Sequence, residues 1–176
     1  MNIACLGWGS LIWEPRDLPV GTWREDGPTL PIEFARKSGG ERVTLVITPD
    51  ATPVRVLWAL LKVGGLSDAK RLLQIREGNV RHRHIGTWEP GVSLTGAASA
   101  IADWAEQQHL DGVVWTALPP KWADEDNRIP SSDDVVTYLA TQDRDSAAAV
   151  YIRRTPAQIR TRYRTVIEAT LGWLPE

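Results

Sequence analysis

The first half of the chain carries short apolar runs separated by glycine, proline and polar residues, a pattern that is typical of β-strands. The clearest run, at 42–48, reads Arg-Val-Thr-Leu-Val-Ile-Thr and is followed by Pro-Asp. Its β-branched residues suit a pleated, half-buried surface. By the same criteria, strands are predicted over residues 1–6, 31–38, 42–48, 54–61, 81–88 and 112–118.

Helical spacing and capping signals dominate the later part. Ser67 is predicted to cap a helix that Gly78 ends, and Thr-Pro-Ala-Gln at 155–158 forms a capping box with proline at the first helical position. Helices are predicted over 68–77 and 97–109, from about 135, and after 155–158. Because strands come first and helices later, the pattern predicts an α+β domain with antiparallel or mixed strands.

Length and composition fit a single folded domain. The chain has 176 residues, of which 43% are hydrophobic and 24% charged, which suffices for a real core. We therefore expect one domain over 1–176, with a helical C-terminal extension from about 112. The one cysteine, Cys5, lies in an apolar run, so we interpret it as a small buried side chain rather than a nucleophile.

Charge and targeting signals limit the possible partners. The formal net charge is −2 and the isoelectric point is about 5.9, so electrostatics favour neither nucleic acid nor an anionic membrane. The N-terminus has no basic segment before its apolar stretch, and no apolar run approaches the ~20 residues of a membrane span. We expect a cytoplasmic protein with no nucleic-acid or membrane partner, and the oligomeric state stays open.

The first predicted strand leads directly into a glycine-containing turn. This turn consists of Gly7, Trp8, Gly9, Ser10 and Leu11. A dinucleotide-binding fingerprint needs Gly or Ala at the sixth position, where this chain has Ile12, and no Gly-Lys-Ser/Thr follows as in a P-loop. Two interpretations remain. The turn presents backbone N–H groups to an anion or a carbonyl oxygen, or it is a simple tight turn.

Glu77 is the candidate acid–base residue. At 100° per residue it lies about 40° from Leu73, on the apolar side of its predicted helix, and on the last turn, at the negative end of the helix dipole. Partial burial and the dipole both disfavour the charged carboxylate, which suits a group that accepts and returns a proton. The other interpretation is that Glu77 pairs with Arg76 or Arg81 at the surface.

Further polar residues have two possible roles each. Arg36, Lys37 and Arg42 flank two predicted strands and either bind a substrate carboxylate or form a solvated edge. His82 and His84 share one face of a predicted strand and could be a pair of metal ligands. No third ligand follows at a recognisable spacing, so we expect no metal.

Four segments of the first 80 residues carry a family resemblance. They are Leu-Gly-Trp-Gly-Ser-Leu-Ile-Trp at 6–13, Phe-Ala-Arg-Lys-Ser at 34–38 with Val-Thr-Leu at 43–45, Val-Leu-Trp-Ala-Leu at 56–60, and Leu-Gln-Ile-Arg-Glu-Gly at 73–78. Together they resemble the γ-glutamylcyclotransferase-like superfamily, and most its ChaC-type branch. The first is similar to a Gly-Tyr-Gly-Ser-Leu-Ile-Trp signature with Trp8 at the tyrosine, and the last to the helix end that carries the catalytic glutamate.

The resemblance implies a fold, a reaction and a set of site residues. The implied fold is a mixed β-sheet curled into a partial barrel, with helices packed outside. The implied reaction cleaves a γ-glutamyl amide by intramolecular aminolysis to give 5-oxoproline and an amine, without a cofactor. Glu77 would be the catalytic residue and the 7–11 turn the substrate loop. From its position beside the predicted strands, Arg42 is predicted as a further substrate-binding residue. The leaving amine, and whether glutathione is a substrate, stay open.

The chain also departs from the family pattern. Gly-Asn-Val follows Glu77 where the family usually has Gly-Gly-Tyr, and the segment from about 112 has no recognised counterpart. A second hypothesis is therefore a non-catalytic small-molecule-binding or interaction protein that retains the fold and pocket. We further expect residues from about 112 to wall the pocket, with Trp115 or Trp122 near its mouth.

Overall fold

The computed structural model describes residues 1–37 and 41–176. Its strands are β1 Ile3–Gly7, β2 Thr29–Leu30, β3 Ile32–Lys37, β4 Val43–Ile47, β5 Val54–Arg55, β6 Leu57–Leu60, β7 Ile85–Trp88, β8 Gly112–Thr116, β9 Lys121–Trp122 and β10 Glu125–Asp126. Its α-helices are α1 Leu66–Arg76, α2 Ser99–Gln107, α3 Ser132–Leu139, α4 Ala147–Arg154 and α5 Arg162–Leu171. No helix in these described ranges is long and apolar enough to cross a membrane.

The first sheet is built around β1. Its strand order is β6-β1-β8-β7, and β1 runs antiparallel to β6 and parallel to β8. All five residues of β1 are buried, because strands flank both its edges and its side chains alternate between two cores. Ala4 and Leu6 belong to the main core, and Ile3 and Cys5 belong to a second cluster that includes Ala69 of α1.

The second sheet has the order β10-β9-β3-β4, and β2 pairs with β5 in a separate two-stranded ladder. The predicted α+β class is confirmed, with mixed sheets. The partial barrel is not observed, because no sheet of the described residues curls or closes on itself.

Two single residues separate neighbouring strands along the chain. Pro31, which has no N–H to donate, lies between β2 and β3. Val56 lies between β5 and β6, and its N–H donates to Pro28 O at 3.0 Å.

Several predicted boundaries are wrong for local reasons. Helix α1 has Gly65 at its N-cap rather than Ser67. Residues 82–84 form a 3₁₀ turn, so only the second half of the predicted 81–88 strand is extended. The capping box at 155–158 starts no helix, because Thr155 ends α4 and its hydroxyl donates to Tyr151 O at 2.9 Å. The last residue of the predicted 31–38 strand lies outside the described residues.

Helix α5 is attached to the second sheet through a buried carboxylate. Glu33 of β3 is 3% exposed, and it accepts hydrogen bonds from the Thr161 hydroxyl, from Phe34 N–H and from Tyr163 N–H. Burial raises the pKa of Glu33, and these hydrogen bonds oppose the shift. Thr161 is also the N-cap of α5, since its side chain accepts from Arg164 N–H. One hydroxyl thus caps a helix and satisfies a buried acid.

This double role predicts an unusually large effect of losing the Thr161 hydroxyl. Ser146 caps α4 by accepting from Ala149 N–H, and its side chain makes no other hydrogen bond to the described residues, so Ser146→Ala is expected to cost about 1 kcal/mol. Thr161→Ala also removes a donor from a buried carboxylate, so we expect about 2–3 kcal/mol. Urea unfolding measures both. Thr161→Ser keeps the hydroxyl and should retain most of the stability, whereas equal losses in the two alanine variants would contradict the double role.

Candidate active site

A cleft of about 250 Å³ opens where the first sheet approaches the second. On one side it is lined by residues 7–11 after β1 and by Arg76 and Glu77 at the end of α1. On the other side it is lined by Arg36 of β3 and by residues 42 and 44–46 in and beside β4. Thr116, Leu118 and Tyr151 complete the lining from the C-terminal part of the chain. The structure therefore brings the predicted loop, Glu77 and Arg42 together around one cavity.

The substrate loop continues directly from the buried strand β1. Gly7 still pairs with Leu57 of β6, and the chain then turns, with Ile12 N–H donating to Gly9 O at 2.9 Å. The Trp8 indole N–H donates to Leu45 O at 3.1 Å, which attaches the loop to β4. Within residues 1–37 and 41–176, the backbone N–H groups of residues 8–11 form no hydrogen bond with a protein acceptor. The loop therefore supplies donors beside the cleft.

The glycines of this loop are required by close packing. A Cβ at Gly9 would overlap the hydroxyl of Tyr151, and a Cβ at Gly7 would lie 2.7 Å from ring atoms of Trp23. Neither glycine has a positive φ. The loop is thus a tight turn as well as a source of N–H groups, and its glycines serve mainly to let neighbouring aromatic rings approach the backbone.

The end of helix α1 presents Glu77 to the cleft. Glu77 is the C-cap, its N–H donates to Leu73 O at 3.0 Å, and its side chain is 14% exposed. Gly78 follows with φ of 81°, a left-handed conformation that turns the chain away from the helix. The predicted helix end is confirmed here. The glycine after the glutamate ends the helix at the point where the carboxylate reaches the cavity.

The guanidinium of Arg76 organises this wall of the cleft. It donates to Glu77 Oε1 at 2.6 Å, to Ser10 Oγ at 3.2 Å, and to Glu14 O at 2.8 and 3.2 Å. The Arg76 side chain is 7% exposed, so the ion pair is buried and not the surface pair considered from the sequence. The pair is a short, charge-assisted hydrogen bond, a contact that the expectation from burial and the helix dipole did not include. In the sequence, this contact is indicated only by the adjacent positions of Arg76 and Glu77.

The other charged candidates divide between the cleft and the surface. Arg36 lines the cleft and donates to Pro119 O at 2.8 Å, and burial lowers its pKa. Lys37 instead lies 4.2 Å from the ring centre of Tyr138, a cation–π contact. His82 and His84 belong to the 3₁₀ turn, and no three metal-binding side chains cluster in the described ranges.

Tyr151 of α4 was not recognised as a site residue from the sequence. Its hydroxyl accepts from Leu45 N–H at 3.4 Å and lies against Gly9. Burial raises the pKa of Tyr151 to about 12, and the charge of Glu77 adds to the shift. The expectation that Trp115 or Trp122 stands near the pocket mouth is wrong. Neither residue lines the cleft, since Trp115 packs against Gly86 and Trp122 contacts the Tyr138 ring.

Comparisons with known proteins add a structural likeness. No family model and no curated protein sequence matches the chain. Among solved structures, the chain is similar to a yeast γ-glutamyl cyclotransferase specific to glutathione, at 13% identity and a TM-score of 0.48, with 98% of each chain covered. This is the family that the motifs at 6–13 and 73–78 resemble. At this level the likeness assigns no activity, substrate or residue role, so roles follow from the geometry of the cleft.

The contact between Gly9 and Tyr151 predicts a coupled pair of substitutions. Gly9→Ala places a methyl group against the Tyr151 hydroxyl, and we expect a loss of about 2 kcal/mol in unfolding free energy from overpacking. Adding Tyr151→Phe removes the opposing oxygen, so the double variant should be less destabilised than the sum of the single variants by at least about 1 kcal/mol. Additive losses in denaturant titrations would contradict this packing.

The raised pKa of Tyr151 predicts a dependence of stability on alkaline pH. The pKa rises from 10.0 to about 12 on burial. The stabilising contribution of the buried, neutral Tyr151 side chain to folding is therefore complete below pH 10 and is lost as the pH rises toward 12. Relative to Tyr151→Phe, the unfolding free energy of the wild type should fall by about 2–3 kcal/mol over that interval. Parallel pH profiles of the two proteins would show that Tyr151 titrates normally.

Proposed function

We propose that the protein is a γ-glutamylcyclotransferase-like enzyme, which cleaves a γ-glutamyl amide to 5-oxoproline and an amine. The observation that carries the proposal is the shared cleft of Glu77 and the 7–11 loop. A carboxylate and a row of backbone N–H groups are the two components that acyl transfer requires, a proton acceptor and donors for a developing oxyanion. The sequence motifs that resemble this family supply those same two components.

Glu77 is suited to move the protons in this reaction. The charged carboxylate, held by Arg76, accepts a proton from the α-ammonium of the substrate. The freed amine attacks the γ-carbonyl carbon, and the bond from that carbon to the leaving nitrogen then breaks. The two protons that the α-nitrogen gives up are the two that the leaving nitrogen gains as it becomes an ammonium. Glu77 is therefore regenerated, and the net charge does not change.

The loop and the arginines complete the proposed mechanism. The N–H groups of residues 8–11 are candidate donors to the tetrahedral oxyanion, and Arg42 with Arg36 offers positive charge to an anionic part of the substrate. Both reacting groups belong to one molecule, so holding the folded conformer supplies much of the rate acceleration. The reaction transfers no electrons and uses no organic cofactor, and its product amine depends on the substrate.

The proposal predicts that Glu77→Gln abolishes formation of 5-oxoproline from γ-glutamyl amides. The amide keeps the shape and one acceptor for Arg76 but cannot take a proton, so we expect a loss of at least about 100-fold in kcat/KM. A panel of γ-glutamyl peptides and amines, with 5-oxoproline as the readout, measures this. Full activity of Glu77→Gln would exclude the mechanism, and an inactive wild type that still binds the compounds would favour the non-catalytic binding hypothesis.

Glu168→Gln is a matched control for stability. Glu168 accepts from the buried Arg164 guanidinium at 2.9 Å and is 12% exposed, so it repeats the buried arginine–glutamate pair of Arg76 and Glu77 on a helix that does not line the cleft. Both variants weaken a buried pair, which destabilises proteins of this kind. We expect similar shifts in Tm and a loss of activity only in Glu77→Gln. Equal losses of activity in both would attribute the effect to unfolding.

A further inference from the structure

Arg16 is an arginine at the edge of the cleft whose backbone is strained. Its φ is 55°, in the left-handed region, which is unfavourable for a non-glycine residue. Its side chain is 55% exposed and lines the cleft. Arg16 has no role in the steps of the proposed reaction. Strain of this kind persists where the surrounding contacts favour it, and at Arg16 those contacts lead to Glu77.

Two arginines connect the segment 14–16 reciprocally to the end of α1. Arg76 donates to the carbonyl oxygen of Glu14, and Arg16 Nη1 donates to the carbonyl oxygen of Arg76 at 3.2 Å. That carbonyl group is bonded directly to the nitrogen of Glu77. The exposed guanidinium of Arg16 is therefore held next to the residue that receives the substrate proton, and its position is maintained by main-chain contacts.

The remaining contact of Arg16 is weak. Its Nε and Nη2 both lie 3.4 Å from Glu14 Oε1, and the Glu14 side chain is 50% exposed. Exposed pairs of this kind contribute little to stability, whereas a charge-assisted pair with a well-placed carboxylate forms shorter and stronger hydrogen bonds. A ligand carboxylate can therefore replace Glu14 on Arg16 at little cost.

We propose that Arg16 is the receptor for the α-carboxylate of the γ-glutamyl group, a proposal that rests on the proposed function. In that group the α-amine nitrogen and the carboxylate carbon share one Cα and lie about 2.5 Å apart. An amine that reaches Glu77 therefore places its carboxylate beside the neighbouring backbone, where Arg16 is held. Arg36 of β3 and Arg42, which directly precedes β4, line the cleft on the side of the second sheet and could contact the rest of the substrate.

The test compares L-γ-glutamylglycine with the analogue in which the glutamyl α-carboxylate is a carboxamide, so that the α-amine and the scissile bond are retained and the α-carboxylate charge is removed. For the wild type we expect kcat/KM to favour the free acid at least tenfold. Arg16→Gln should reduce that preference to less than threefold, mainly through KM, and Arg16→Lys should retain part of it. Arg16→Gly also removes the guanidinium but relieves the positive φ, so it should show the same loss of preference in a well-folded protein.

Arg55→Gln is the control variant. Arg55 Nη1 also donates to a backbone carbonyl at 3.2 Å, that of Gly27, and Arg55 does not line the cleft. Its substitution should leave the preference for the free acid unchanged. The inference is overturned if the wild type treats acid and carboxamide alike, or if Arg16→Gln slows both substrates by the same factor.

A binding measurement separates this inference from the proposed function. Calorimetric titration with 5-oxoproline and with uncharged 2-pyrrolidinone needs no turnover. We expect the wild type to bind 5-oxoproline more tightly than 2-pyrrolidinone, and Arg16→Gln and Arg16→Gly to lose the difference. If this holds while no γ-glutamyl compound is cleaved, the carboxylate receptor stands and the proposed reaction fails. If the two compounds bind alike, or the difference persists in Arg16→Gln, the receptor assignment fails whatever the activity.

Discussion

The buried guanidinium of Arg76 is the contact on which the arrangement of the cleft depends. It joins the last turn of α1 to Ser10 and Glu14, which lie 66 and 62 positions away in the sequence. Burying a cation is unfavourable unless its donors are satisfied, and here a carboxylate, a hydroxyl and a main-chain carbonyl satisfy them. Each partner is thereby fixed relative to the others, and the same guanidinium holds the Glu77 carboxylate in the cleft.

The other walls of the cleft are positioned by hydrogen bonds between the side chains of Trp8 and Tyr151 and the backbone of Leu45. The Trp8 indole donates to its carbonyl oxygen, and the Tyr151 hydroxyl accepts from its N–H. These contacts connect the loop of the first sheet and helix α4 to one residue of the second sheet. The C-terminal part of the chain is thus part of the site, because β8 lies inside the first sheet and α4 supplies Tyr151.

Local sequence patterns predict those elements of the fold that a few consecutive residues determine. The β-branched run of β4, the buried strand β1 and the glycine that ends α1 are each specified within a few residues. The errors concern long-range contacts. The box at Thr155 has the composition of an N-cap, but α5 begins only where Thr161 also reaches the buried Glu33. A composition cannot show that a second partner, 128 positions away in sequence, decides which threonine caps the helix.

The same limit explains which charged residues of the cleft could be anticipated. Arg76 and Glu77 are neighbours in sequence, whereas Arg16 and Glu14 come near them only through the fold. The two arginine–glutamate pairs differ physically: one is buried at 2.6 Å, and the other is half-exposed at 3.4 Å. A buried pair whose arginine makes several hydrogen bonds keeps its geometry, and an exposed pair with a long N–O distance exchanges partners readily. Within the proposed reaction, the first pair is therefore suited to proton transfer and the second to recognition, and the carbonyl of Arg76 keeps the two in a constant relation.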